Sequence, residues 1–169
     1  PFAADDAVRN VNLSLYPGEV VVVTGLSGCG KSTLIRLING LCPHYYEGEL
    51  SGQVFVNGID SATRKIADIA GEVGTLFQDP EEAFFTLRVR DEIGFVNDWR
   101  GDDEEDVERF VQAQARRFGI EAFLDRDVHV LSEGQKQKVG LACASGHDTR
   151  VLILDEPSAN LDPESVKRL

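Results

Sequence analysis

The sequence predicts an α/β fold: a parallel-sheet core, a small antiparallel β layer beside it, and a helical insertion. Three observations carry this. Two apolar, β-branched runs, "EVVVVTG" at residues 19–25 and "VLILDE" at residues 151–156, lack polar alternation. Such runs suit strands buried on both faces of a parallel sheet. A glycine-rich loop, "GLSGCGKST", follows the first run and opens a helix at Lys31. Residues 103–118 place Val107, Phe110, Val111 and Phe118 near one helical face, the mark of an amphipathic helix.

The remaining elements follow in chain order. "SGQVFVNG", residues 51–58, alternates Val54 and Val56 against Phe55 and ends in Asn-Gly, a hairpin turn signal. With "VRNVNLSLYPGE", residues 8–19, it predicts the antiparallel layer. His44, Tyr45 and Tyr46 read as an ordinary surface loop. In "GDDEEDVER" the acids run unbroken from Asp102 to Asp106. They read as a solvated helix start, where negative charge complements the macrodipole. Neither repeats nor a flexible linker interrupt the chain. One domain is expected, with an α/β core at residues 1–78 and 151–169 and the helical insertion at 79–150.

Composition narrows the function classes. A chain of 169 residues, 42% of them hydrophobic, can bury one core. Its apolar runs stay well short of the ~18 residues that span a membrane. The first ten residues have no basic region and no apolar run, so they do not read as a signal peptide. Cys29, Cys42 and Cys143 have no metal-ligand spacing and read as reduced thiols of a cytosolic protein. The histidines, His44, His129 and His147, are scattered, so no direct metal site is expected. Twenty-nine acids against seventeen bases, a net charge of −12, match nucleic acid poorly. Met is absent even at position 1, so a piece of a longer protein is expected.

The glycine loop carries the first chemistry. Gly25, four residues, Gly30, Lys31 and Ser32 match a phosphate-binding P-loop. Gly25, Gly28 and Gly30 let backbone N–H groups curl around phosphate oxygens, with Ser27 and Cys29 between them. Cys29 reads as a small filler. The helix through Ser32 and Thr33 aims its N-terminus at the same anion. Lys31 would reach the β- and γ-phosphates and Ser32 would coordinate Mg²⁺. The second apolar run ends in Asp155, which puts a carboxylate beside the Mg²⁺ site. The next residue, Glu156, can orient and deprotonate an attacking water. An Asn-Lys-x-Asp guanine-reading motif is absent, which lowers a GTPase reading.

Three further stretches complete an ordered set: "FQDP" at 77–80, "LSEGQKQK" at 131–138 and "DEPSANLD" at 155–162. With them the chain resembles an ATP-binding cassette (ABC) ATPase over almost its entire length. The resemblance implies a glutamine loop at Gln78, which senses the γ-phosphate and joins Ser32 and Asp155 at Mg²⁺. It implies a signature formed by Leu131, Ser132, Glu133, Gly134 and Gln135, which caps ATP held by a second such domain. It implies a D-loop from Ser158 to Asp162 along the dimer interface. Ser132 supplies a hydroxyl, and Gly134 lets backbone N–H groups approach a phosphate at a helix start. Glu133 departs from the commoner Leu-Ser-Gly-Gly-Gln. A carboxylate there would repel a γ-phosphate, so it is expected to point away.

"NGLCPHYYEGELSGQVFVNG" at 39–58 and "LFQDPEEAFFTLRVRDEIGF" at 76–95 resemble, more closely, the ATPase subunits of energy-coupling factor importers of vitamins and transition-metal ions. The resemblance implies ATP and Mg²⁺ as ligands. It implies a second ABC ATPase domain and transmembrane transporter subunits as partners, and a place on the inner face of the cell membrane. The adenine-stacking aromatic would fall just before Pro1, with Phe2 a weaker candidate, and the switch histidine beyond Leu169. The 169 residues by themselves are therefore expected to be weakly active or inactive. The rival reading is a soluble ABC ATPase of DNA repair, chromosome structure or translation. The short interval from Gln78 to Leu131, without sustained heptads, and the acidic balance speak against it. A regulatory half without turnover is disfavoured by Lys31, Asp155 and Glu156.

Overall fold

The computed structural model describes residues 6–146 and 149–157, apart from the side chains of residues 82 and 99. The chain forms two compact units, Pro1–Ala70 and Gly71–Leu169.

In the first unit the glycine loop leads into helix α1, Lys31–Ile38. A short helix α2, Leu41–His44, follows, and then the hairpin of β1, Phe55–Val56, and β2, Ile59–Asp60. The strands pair antiparallel, with Phe55 opposite Asp60 and Val56 opposite Ile59. Asn57 and Gly58 between them have φ of 48° and 81°. Two positive values in a two-residue loop are what a type I′ turn needs, so the Asn-Gly signal is realised. The buried Ser61 donates its hydroxyl to the Leu37 carbonyl (3.0 Å), which ties the hairpin to α1. His44 Nε2 lies 3.0 Å from the Ser61 carbonyl oxygen and joins the same knot. Helix α3, Ile66–Ala70, closes the unit with Ile69 fully buried.

Two sequence expectations are corrected here. Residues 19–25 form no ladder among the described residues, and neither do residues 8–19. Val20 is 90% exposed and Val22 78%. An apolar run becomes a buried strand only where flanking strands take up its N–H and C=O groups. Among the described residues, this run has no such neighbour.

The second unit contains the parallel pair. Strand β3, Val73–Leu76, lies in register with β4, Val151–Leu154, from Val73 opposite Val151 to Leu76 opposite Leu154. Strand β3 is buried, but Leu152 and Leu154 of β4 are 45% and 37% exposed. "VLILDE" is thus a strand, as expected, but not one covered on both faces. Among the described residues β3 is its only ladder partner.

The helical insertion packs as α4, Val89–Arg100, α5, Glu104–Phe118, and α6, Glu133–Ala144. Helix α5 begins where the acid run places it, with Asp103 at the N-cap and Glu104, Glu105 and Asp106 in the first turn. Arg116 and Arg117 close its last turn, so both ends suit the macrodipole. Its face of Val107, Phe110 and Val111 is buried against Val89 and Ile93 of α4 and Val139 and Ala142 of α6. Full burial of side chains the size of Phe110 and Ile93 is worth about 1.5–3 kcal/mol each.

Helix α6 is buried on most sides, including Lys136, Gln137, Val139 and Leu141. It packs on β3 closely enough to demand glycine. A Cβ on Gly74 would lie 1.8 Å from the Ala144 carbonyl oxygen.

Candidate functional site

The glycine loop is built as its glycines require. Gly28 and Gly30 adopt φ of 79° and 98°, the left-handed region that favours glycine. Gly30 is doubly constrained, because a Cβ there would meet the Ala7 carbonyl oxygen at 2.3 Å. The N–H of Cys29 donates to the Leu26 carbonyl (3.2 Å), which closes the loop, and Cys29 itself is exposed. The N-cap of α1 is Gly30, without a side-chain cap. The first helical bond runs from the Leu34 N–H to the Gly30 carbonyl (2.9 Å). The N–H groups of Lys31, Ser32 and Thr33 precede it and stand available to an anion. The Lys31 ammonium donates to the carbonyls of Gly25 (2.9 Å) and Leu26 (3.1 Å). A third donor remains on that nitrogen. Ser32 is exposed.

In the second unit, the carboxyl ends of β3 and β4 emerge side by side. The Asp155 N–H donates to the Leu76 carbonyl (2.9 Å), extending the ladder one residue beyond β4. Gln78, two residues past Leu76, is therefore brought to the same sheet end as Asp155 and Glu156. Ligands of open α/β sheets bind at such ends. Gln78 and Glu156 are exposed, and Asp155 is half-buried. Glu156 has φ of 50°, uncommon for a residue with a Cβ. Strain of this kind costs on the order of 1–3 kcal/mol and clusters at functional sites. The D-loop, with Ser158 and Asp162, lies outside the described residues.

The signature residues open α6. Leu131 is buried and packs in the helical core. Ser132 is the N-cap of a reciprocal capping box. Its Oγ accepts from the Gln135 N–H (3.4 Å), and its own N–H donates to Gln135 Oε1 (3.0 Å). The Gln135 side chain is thus engaged in the turn itself. Ahead of the helical ladder stand the N–H groups of Glu133 and Gly134.

The Glu133 carboxylate is turned along its own helix to Lys136, 3.3 Å from Nζ. The same ammonium makes a short ion pair with Glu81 Oε2. The other oxygen of Glu81 lies 2.9 Å from His129 Nδ1. Only 7% of the Lys136 side chain is exposed. Its hydrogen bond to Glu81 holds the lysine pKa above the usual range, and Glu133 adds to the shift. The hydrogen bonds from Lys136 and then from His129 lower the Glu81 carboxyl. Glu81 belongs to the turn Pro80–Ala83, just after Gln78, so this cluster joins the glutamine loop to the signature helix. Sequence reasoning missed Glu81, His129 and Lys136. The spacing from Glu133 to Lys136 suits an ion pair on a helix and was the one readable signal.

A family model described as "ABC transporter" matches residues 8–159. A Treponema denticola protein named "Putative ABC transporter ATP-binding protein" is 40% identical over 166 residues, covering 98% of this chain and 34% of that protein. A Vibrio vulnificus protein of the same descriptive name is 40% identical over 161 residues, covering 95% of this chain and 28% of its own length. The chain thus spans about a third of the length of these relatives. Among solved structures, cbiO1 from Clostridium perfringens, part of the ABC transporter complex cbiONQ, matches with a TM-score of 0.82 and 33% identity. That match covers 96% of this chain and 63% of cbiO1. The ATP-binding cassette MJ0796 matches at 0.79 and 24% identity, which supports the fold alone.

Proposed function

Because the chain belongs to the ABC transporter family, we propose that it binds and hydrolyses ATP to power an importer of the energy-coupling factor type. The likeness to cbiO1, part of a transporter complex, supports the finer class. The observation that supports the chemistry is the Asp155–Leu76 hydrogen bond, which extends the β3–β4 ladder toward the sheet end that Gln78 and the two carboxylates follow.

In this reading Lys31 binds the β- and γ-phosphates with its free donor. The backbone of Gly25, Ser27, Gly28, Cys29 and Gly30, with the helix start at Ser32 and Thr33, cradles them. Mg²⁺, when bound, neutralises charge on the transferring phosphoryl group. Mg²⁺ prefers one or two carboxylates plus phosphates and water, so hydroxyl, carboxylate and amide oxygens suit it. In this reading Ser32, Asp155 and Gln78 would supply such oxygen donors. Glu156 orients and deprotonates the attacking water.

The signature residues receive the ATP of a second ABC ATPase domain, and Ser158 and Asp162 line the interface between the two. Residues 1–78 and 151–169 act as the ATP-binding core, and residues 79–150 as the helical part that faces the membrane subunits. No helix among the described residues is long and apolar enough to cross a membrane. In this reading the membrane subunits hold the chain at the inner face. An exposed apolar surface supports this. Phe85 stacks on Phe95 with centroids 5.7 Å apart, 78% of Phe85 is exposed, and Leu87 and Val96 are exposed as well. Glu92 pins the backbone beneath it, accepting from the N–H of Phe85 (3.0 Å) and of Thr86 (2.7 Å).

The test is co-purification from membranes. The full-length protein should bring down a hydrophobic multi-span subunit, and Phe85→Asp should release it while leaving ATP binding intact. Retention of the subunit by Phe85→Asp would remove this surface from the reading.

A further inference from the structure

The signature turn carries a carboxylate where a phosphate is to be received. Glu133 is the first residue of α6 and is exposed, beside the uncommitted N–H groups of the helix start. A free carboxylate there would lower the anion affinity of that terminus. It is not free, because Lys136 holds it at 3.3 Å, one turn further along the helix. The turn does not need this contact for its shape, since the Ser132–Gln135 capping box fixes the backbone independently. The ammonium is also shared, through its ion pair with Glu81. One cation is thus spread over two carboxylates from segments 52 residues apart in sequence, at Glu81 and Glu133, with His129 backing the first.

We propose that Lys136 is a positioning residue: it draws the Glu133 carboxylate back from the nucleotide phosphate that the signature turn receives. Through Glu81, it ties that turn to the segment following Gln78. The proposal rests on the reading of residues 131–135 as an ATP-receiving turn. It explains how a signature with Glu133 can meet a γ-phosphate, and it makes the need for Lys136 conditional on that carboxylate.

This conditionality is the test, applied to the full-length protein with its partner subunits. Phosphate release is measured against Mg-ATP concentration, alongside equilibrium binding of a fluorescent ATP analogue and a thermal melt. Lys136→Met should raise the KM for ATP by about 10-fold or more, because an unscreened like charge then faces the phosphate. The rise should shrink with added salt. Glu133→Gly serves as the reference for the double variant, and Lys136→Arg, which keeps the cation, should behave as the parent. The double variant Glu133→Gly/Lys136→Met should recover to within about 2-fold of Glu133→Gly.

A lysine that only braced the fold would not be rescued by losing Glu133. A double variant as impaired as Lys136→Met overturns the proposal, and so does a salt-independent defect. If Lys136→Met melts too early to assay, Glu133→Gly still decides. A 10-fold rise in its KM would mean that the carboxylate serves the site, which is the opposite of the proposal. Failure of the parent to bind the ATP analogue overturns the functional reading and this proposal with it. Normal binding with an unrescued double variant overturns this proposal alone.

Discussion

Replacing Lys31 by alanine probes the phosphate loop at its single side-chain cation. Two effects can be worked from the structure. The ammonium donates to the carbonyls of Gly25 and Leu26, and both bonds disappear. At roughly 0.5–1.5 kcal/mol for each such bond, and in a partly exposed loop, the nucleotide-free protein should lose about 1–2 kcal/mol. The larger loss is in ATP binding. A lysine charge about 4 Å from a phosphate charge, at the effective dielectric of a protein surface, is worth at most about 4 kcal/mol. Every 1.4 kcal/mol is tenfold in affinity, so ATP should bind on the order of 10²- to 10³-fold more weakly. AMP, which lacks the β- and γ-phosphates, should be affected little. Titration with fluorescent ATP and AMP analogues, on protein whose melt shows that it remains folded, measures both. An ATP affinity within 3-fold of the parent would refute the reasoning. An equal loss for AMP would also refute it, since the lysine would then be holding the loop rather than the phosphates.

Glu156→Gln should retain ATP binding and slow hydrolysis by about 10²-fold or more, the worth of a positioned base. In the full-length protein it should accumulate a closed, nucleotide-bound pair on gel filtration with Mg-ATP, and hydrolysis at the parent rate would remove Glu156 from the mechanism. The Glu81–Lys136 pair sets a pH dependence. The Glu81 pKa is lowered, so its stabilisation is present above the ordinary carboxylate range and lost as pH falls through the folded-state value. The Lys136 pKa is raised, so its part is present below the ordinary lysine range and lost only as pH rises past the folded-state value. Thermal melts of the parent and of Glu81→Gln should therefore differ at about pH 8 and converge only once pH falls below the lowered Glu81 value. A constant difference across that range would show that the charge of Glu81 does not matter.

What could be read from the sequence was contiguous chemistry. The loop from Gly25 to Thr33 appears in the structure with left-handed glycines and a helix starting at Lys31, because its turns are set mostly by its own glycines. The same holds for the Asn57-Gly58 turn and for α5, whose acid start and apolar face lie within one stretch. The tertiary structure decided everything that needed a distant partner. Residues 19–25 are apolar enough for a buried strand yet form no ladder, since β structure is a property of pairs. Strand β4 was expected to be covered on both faces, but Leu152 and Leu154 are exposed. Gly74 looks like an ordinary strand glycine until Ala144 of α6 is found against it. That Leu76 and Asp155, 79 residues apart in the chain, meet at one sheet end follows from the parallel register of β3 and β4. The charge state of the signature turn is likewise set by Glu81 through Lys136, because an ion pair is chosen by proximity in space, which no sequence spacing across a folded helical core encodes.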